Sequence, residues 1–181
     1  MADRDLTDYE RTSFTDDGKT RTVFRRGTGH AVVVIAEMPG ITPKVVEFAD
    51  RVVAIGCTAV LPHLFGEPGR DPVARGRARL VGYGLSSLVP ACVSREFTIL
   101  ATGRTSPVVS WLRALAAHEH ERCGGPGVGA VGMCFTGGYA LAMATDPRLL
   151  APVLSQPSMP VGPTARSRRS ISHIIVPGLG R

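Results

Sequence analysis

The chain has no run of apolar residues long enough to cross a bilayer, so a membrane-spanning helix is not its organising feature and no membrane partner is expected. Its opening stretch, MADRDLTDYERTSFTDDGKT, holds no apolar segment of the kind a secretory leader needs. Residues 1–19 therefore read as a polar N-terminal segment, and the expected address is the cytoplasm. The cysteines at 57, 92, 123 and 134 show neither CxxC spacing nor clustering with histidine, which excludes a zinc site and a disulfide framework and predicts free thiols. Acid is missing altogether after Asp146: residues 147–181 hold five Arg and no Asp or Glu, whereas residues 1–146 hold 16 Lys/Arg against 15 Asp/Glu. The net charge of +6 is thus concentrated in the tail. That tail has no aromatic residue among its arginines, whereas a nucleic-acid surface spreads basic side chains over a folded element and interleaves aromatics. No nucleic-acid partner is expected.

What remains, at 181 residues and 44% apolar, is the composition of a single globular domain. TRTVFRRG (20–27) and HAVVVIAE (30–37) read as strands, the second apolar on both faces like a buried sheet strand. In TPKVVEFADRVVAIG, Val45, Val46, Phe48, Ala49, Val52, Val53 and Ile55 fall at helical spacing before Gly56, and CTAVLPHLF is a third strand. Residues 66–105 mix glycine, proline and charge without clean periodicity and read as a long excursion. Ser106-Pro107 then opens a helix whose apolar face is Val108, Val109, Trp111, Leu112, Leu115 and Ala116. His118 and His120 fall in its last turn as surface residues. VGAVGMC, GGYALAMATD and LLAPVLSQPS follow as strand, helix and strand. Strands alternating with helices predict a three-layer α/β fold with a mostly parallel sheet.

The stretch GVGAVGMCFTGGYALAMA (127–144) places Cys134 at the joint between the fourth strand and its helix. In a parallel sheet, functional groups collect at the carboxyl ends of strands. A nucleophile on a sharp strand-to-helix turn projects from the backbone if small residues surround it, and Gly132, Gly137 and Gly138 supply that room. The helix N-terminus favours a thiolate, and the amide of Phe135 is left free to donate to a developing oxyanion. The other three cysteines read as small packing residues.

With these residues on view, the sequence resembles the dienelactone hydrolase family, α/β-hydrolases with cysteine in place of serine at the elbow, over about residues 20–160. GMCFTGG (132–138) is similar to the family's G-x-C-x-G-G elbow, AEMPG (36–40) to its E-x-x-G turn, and LPHLFG (61–66) to the proline-bearing strand end that follows. The resemblance implies that Glu37 faces the nucleophile and helps control its ionisation. It implies that the amide of Met38 joins that of Phe135 in the oxyanion hole, that a small-molecule ester or lactone is the substrate, and that no cofactor or metal is needed. Thr136 departs from the pattern, standing where the family has glycine, and His63 stands where many relatives carry an acid. His63 reads as a substrate contact or as a structural histidine. Arg95 and Arg104 read as carboxylate-binding groups or as solvated surface arginines.

A cysteine nucleophile of this kind also needs an aspartate and a histidine later in the chain. After Cys134 the sequence offers one acid, Asp146, and one histidine, His173. Asp146 comes a helix length later, roughly 15 Å away at 1.5 Å per residue, and cannot orient a base at the elbow. His173 is a minor candidate in a basic, irregular tail (161–181) with no acid after it. The expectation is one incomplete α/β-hydrolase domain, truncated or frame-disrupted in its C-terminal strand-helix units, with impaired activity and possible self-association through an exposed sheet edge. The alternatives are a non-catalytic remnant or interaction module, and a glutamine-amidotransferase-like cysteine enzyme.

Overall fold

A computed structural model describes residues 2–71 and 106–156. The sheet begins earlier than the sequence reading places it. Strand β1 (Glu10–Asp16) pairs antiparallel with β2 (Lys19–Arg26), Asp16 opposite Lys19, across the two-residue loop Asp17-Gly18. Both loop residues have positive φ, 46° and 69°, the requirement of a hairpin turn whose twist matches that of its strands. Polar residues fill β1 because it is an edge strand. Phe14 is the exception, and its ring meets Trp111 edge-on and stacks on His118.

The remaining elements follow the expected order. Strand β3 (Ala31–Ile35) leads to helix α1 (Pro43–Ala54) and strand β4 (Thr58–Pro62). Thr42 caps α1 by accepting from the Val45 amide, Pro43 occupies its first turn, and Gly56, at φ 86°, turns the chain out. Helix α2 (Pro107–Cys123) runs to Gly124, followed by β5 (Val128–Met133), a 3-10 turn (Cys134–Thr136), α3 (Gly137–Met143) and β6 (Leu149–Ser155). Helix α3 is shorter than the sequence reading, and β4 stops at Pro62.

The strands lie in the order β1-β2-β4-β3-β5-β6, with β4, β3, β5 and β6 parallel and the β1-β2 hairpin antiparallel at one side. Side chains alternate across this sheet. Val33, Ile35 and Val60 join Trp111, Leu112, Leu115, Tyr139 and Met143 in the core beneath α2 and α3. Val34, Ala36, Ala59 and Leu61 join Val45, Val46, Ala49 and Val52 beneath α1. Three layers result, as in an α/β-hydrolase fold. The layering also fixes where a site can form. Adjacent strands β3 and β5 are continued by helices on opposite faces of the sheet, which opens a crevice at their carboxyl ends. Among the described residues, no helix is long and apolar enough to cross a membrane.

Candidate active site

Met133 ends β5, and the next residue, Cys134, takes φ 51°, a left-handed conformation that an L side chain rarely adopts. This is the backbone of a sharp strand-to-helix turn, in which strain turns the side chain out of the strand before the helix begins. Cys134 is half-buried, with a free thiol. Gly132 makes the turn possible. A Cβ there would lie 2.3 Å from the carbonyl oxygen of Thr136 and 2.8 Å from the Cα of Gly137, so the returning chain rests directly on the glycine.

The other wall of the crevice comes from β3. Ile35 pairs with Gly132 in parallel register, so Glu37 and Cys134 each follow that pair by two residues. Glu37 is exposed, and its carboxylate makes no hydrogen bond or ion pair among the described residues. Its carbonyl accepts from the Gly40 amide at 2.7 Å, closing the turn that contains Met38. Met38 packs on the same core as Phe135. Phe135 sits edge-on to Tyr139 at 5.1 Å and tilted against Phe65 at 6.3 Å. A Cβ on Gly40, whose φ is 126°, would collide with the Phe65 carbonyl, so the turn after β3 and the loop after β4 pack backbone to backbone. The stretches 36–40, 61–66 and 132–138, far apart in the chain, thus converge on one sheet edge.

His63 does not present a free ring to this edge. Its Nε2 lies 2.8 Å from the Gly66 carbonyl, which can only accept, so Nε2 carries the proton and the ring staples the loop after β4. Asp146 lies beyond α3, where Arg148 donates to it through its amide, Nε and a terminal nitrogen. Those hydrogen bonds hold the Asp146 carboxyl below the ordinary aspartate range. It is committed there, as its distance along the chain led one to expect. Arg95, Arg104, Cys92 and His173 lie outside the described residues.

Cys123, read as a small packing residue, packs against the core and also takes part in a polar contact. Its sulfur accepts from Arg25 at 3.2 Å, beside a buried glutamate, Glu119, that the helical pattern did not single out. Sequence reasoning also treated Thr136 only as a departure. The structure buries it completely and uses its hydroxyl to accept from the Met133 amide and to reach the Ile35 carbonyl, both at 2.9 Å. A threonine where an apolar strand turns into a helix is a side-chain-to-backbone turn former, and that was the available signal. Cys57 and Cys123 are free thiols like Cys134. Among the described residues no group of three or more His, Cys, Asp or Glu could hold a metal ion.

The comparisons with known proteins fit this geometry. An inferred dienelactone hydrolase from Klebsiella pneumoniae subsp. pneumoniae MGH 78578 superposes with a TM-score of 0.57 at 18% identity, over 88% of this chain and 63% of its own. A protein named m3DLH gives 0.55 at 20% identity, over 84% of this chain and 62% of its own. A cold-adapted esterase from an Arctic intertidal metagenomic library gives 0.51 at 18% identity, over 78% and 57%. The chain therefore spans about three-fifths of the length of these structures, with which it shares the α/β-hydrolase fold. No curated protein matches it. The model of the Dienelactone hydrolase family matches residues 21–176, which takes in most of β2, every strand from β3 to β6 and the turn at Cys134, and the chain belongs to that family.

Proposed function

We propose that this chain presents the nucleophile of a cysteine-dependent hydrolase of carboxylic esters or lactones, with a small molecule as substrate. The observation that carries the reading is the left-handed backbone of Cys134 at the carboxyl end of β5, beside the end of β3. Cys134 Sγ attacks the substrate's carbonyl carbon, and the carbonyl electron pair moves onto oxygen. The amides of Phe135 and Met38 donate to that oxyanion. Its collapse re-forms the carbonyl and breaks the bond to the ester oxygen. A thioester remains on the enzyme, and the thiol proton leaves with the alcohol or enters solvent. Glu37, which follows the Ile35–Gly132 pair by two residues as Cys134 does, supplies a carboxylate on the neighbouring strand end that opposes the build-up of a second negative charge at the site.

Hydrolysis of the thioester requires a base to activate water. After Cys134 the sequence offers Asp146, held by Arg148, and His173. Without an aspartate-oriented histidine, turnover falls by several orders of magnitude, roughly as in triad deletions. The acyl-enzyme then accumulates.

The test uses p-nitrophenyl acetate with residues 1–181. The expected result is a release of p-nitrophenolate stoichiometric with protein, an acetyl group on Cys134 by peptide mass mapping, slow turnover afterwards, and no burst in Cys134→Ala. Brief treatment with a small electrophile should likewise modify Cys134 ahead of Cys57, Cys92 and Cys123. The absence of any burst would favour a non-catalytic module of the same fold. Many turnovers per minute, lost in both Cys134→Ala and His173→Ala, would make His173 the base and the impaired-activity reading wrong.

A further inference from the structure

We infer that Thr136 is a positioning residue for acyl transfer, its buried hydroxyl locking the elbow that carries Cys134 to the strand that leads to Met38. The inference rests on the reading of Cys134 as the nucleophile. Thr136 is 0% exposed. Its Oγ1 accepts from the Met133 amide at 2.9 Å, and its one proton faces two carbonyls, Ile35 at 2.9 Å and Met133 at 2.8 Å. Ile35 and Met133 are the last residues of β3 and β5, and Ile35–Gly132 is the last backbone pair between those strands. The hydroxyl therefore extends the pairing of the two strands beyond the point where their backbones stop pairing.

That location matters because the two amides assigned to the oxyanion sit on opposite sides of the bridge. Phe135 lies in the 3-10 turn that Thr136 ends, and Met38 lies three residues beyond Ile35. Their separation decides whether both can donate to one oxygen, and a change of a few tenths of an ångström at such a centre alters rates steeply. Cys134 adds a second demand. Its left-handed backbone relaxes unless the surrounding structure over-determines it. Packing of the Thr136 carbonyl against Gly132 holds the turn from one side, and the hydroxyl bridge holds it from the other. A glycine at 136, as in the elbow pattern the sequence resembles, has no hydroxyl and could not form this bridge.

The experiment compares Thr136→Val, which keeps the side chain's shape, with Thr136→Ser, which keeps the hydroxyl. Three quantities are read: the burst rate with p-nitrophenyl acetate, the alkylation rate of Cys134 by iodoacetamide, and hydrogen exchange at the Met133 amide. Alkylation uses the thiol but no oxyanion hole. The expected result for Thr136→Val is a burst slower by at least about tenfold, alkylation close to that of the unaltered protein, and faster exchange at Met133. Thr136→Ser should restore all three. If Thr136→Val does not fold, Thr136→Ala against Thr136→Ser supplies the same comparison. A normal burst in Thr136→Val, with none in Cys134→Ala, overturns the inference and leaves the nucleophile reading standing. Equal loss of burst and alkylation, unrescued by Thr136→Ser, reduces Thr136 to a folding role and also overturns it. A burst absent from the unaltered protein overturns the nucleophile reading and this inference together.

Discussion

Arg25 Nε donates to Glu119 Oε2 at 3.0 Å across the interface between β2 and α2, where the glutamate side chain is only 2% exposed. Arg122 approaches the other carboxylate oxygen at 3.4 Å, so both oxygens have cationic partners. A carboxylate this deep in a core is tolerated only because it is paired. Removing one member leaves the other charge desolvated without compensation, which costs more than the pair contributes. Glu119→Ala should lower stability by about 3 kcal/mol, and Glu119→Gln by less, because its amide oxygen still accepts from Arg25. Urea unfolding followed by circular dichroism checks this. A loss for Glu119→Ala no larger than for an exposed-site alanine would show that water reaches the pair.

Glu37 and Cys134 each follow the Ile35–Gly132 pair by two residues. We propose that the Glu37 carboxylate acts on the Cys134 thiol across this edge, so Glu37→Gln should speed alkylation of Cys134 by about two- to fivefold at neutral pH. High salt should narrow the difference. Identical rates for the two proteins at low salt would remove Glu37 from the site.

Asp146 offers a pH test away from the elbow. Hydrogen bonds from Arg148 depress its folded-state pKa below the ordinary aspartate value. A depressed carboxylate contributes stability that is fully present above the unfolded-state pKa and is lost as pH falls through the folded one. Asp146→Asn should therefore cost up to about 1 kcal/mol at pH 7 and progressively less as the solution is acidified below the ordinary aspartate range. A cost that stays constant into strong acid would assign the effect to the hydrogen bonds alone.

β6 leaves apolar side chains uncovered: Leu150 is 57% exposed, Val153 48% and Leu154 36%. Alternation puts Val153 on the opposite face of the sheet from Leu154, while Leu150 falls at the register shift between the Val128–Leu149 and Gly129–Ala151 pairs. We propose that this strand drives self-association of residues 1–181. Light scattering should report species larger than a monomer, and Leu150→Lys combined with Val153→Lys should shift them toward the monomer. A monodisperse monomer at tens of micromolar would refute the proposal.

Much of this arrangement is legible in the sequence because it depends on local pattern. The helical spacing of Val45, Val46, Ala49 and Val52, the doubly apolar run at 31–35 and the glycines around Cys134 each specify their element from neighbouring residues. The Asp-Gly turn before β2 was equally local, but the polar residues of β1 masked it, since an edge strand needs little apolar surface to pair. The roles of Glu119, Cys123 and Thr136 were not legible in the same way. A glutamate on a helix looks solvated until β2 brings Arg25 across to it. A threonine in a turn looks like a departure from pattern until the carbonyl of Ile35, 101 residues earlier, is found beside it. The sequence by itself determined which segments are strands and helices and that Cys134 stands at a joint, because hydrophobic periodicity and glycine sterics act over a few residues. Only the tertiary structure decided which buried polar groups are satisfied and by whom, because a buried hydrogen bond or ion pair depends on the distance between partners that chain spacing does not encode.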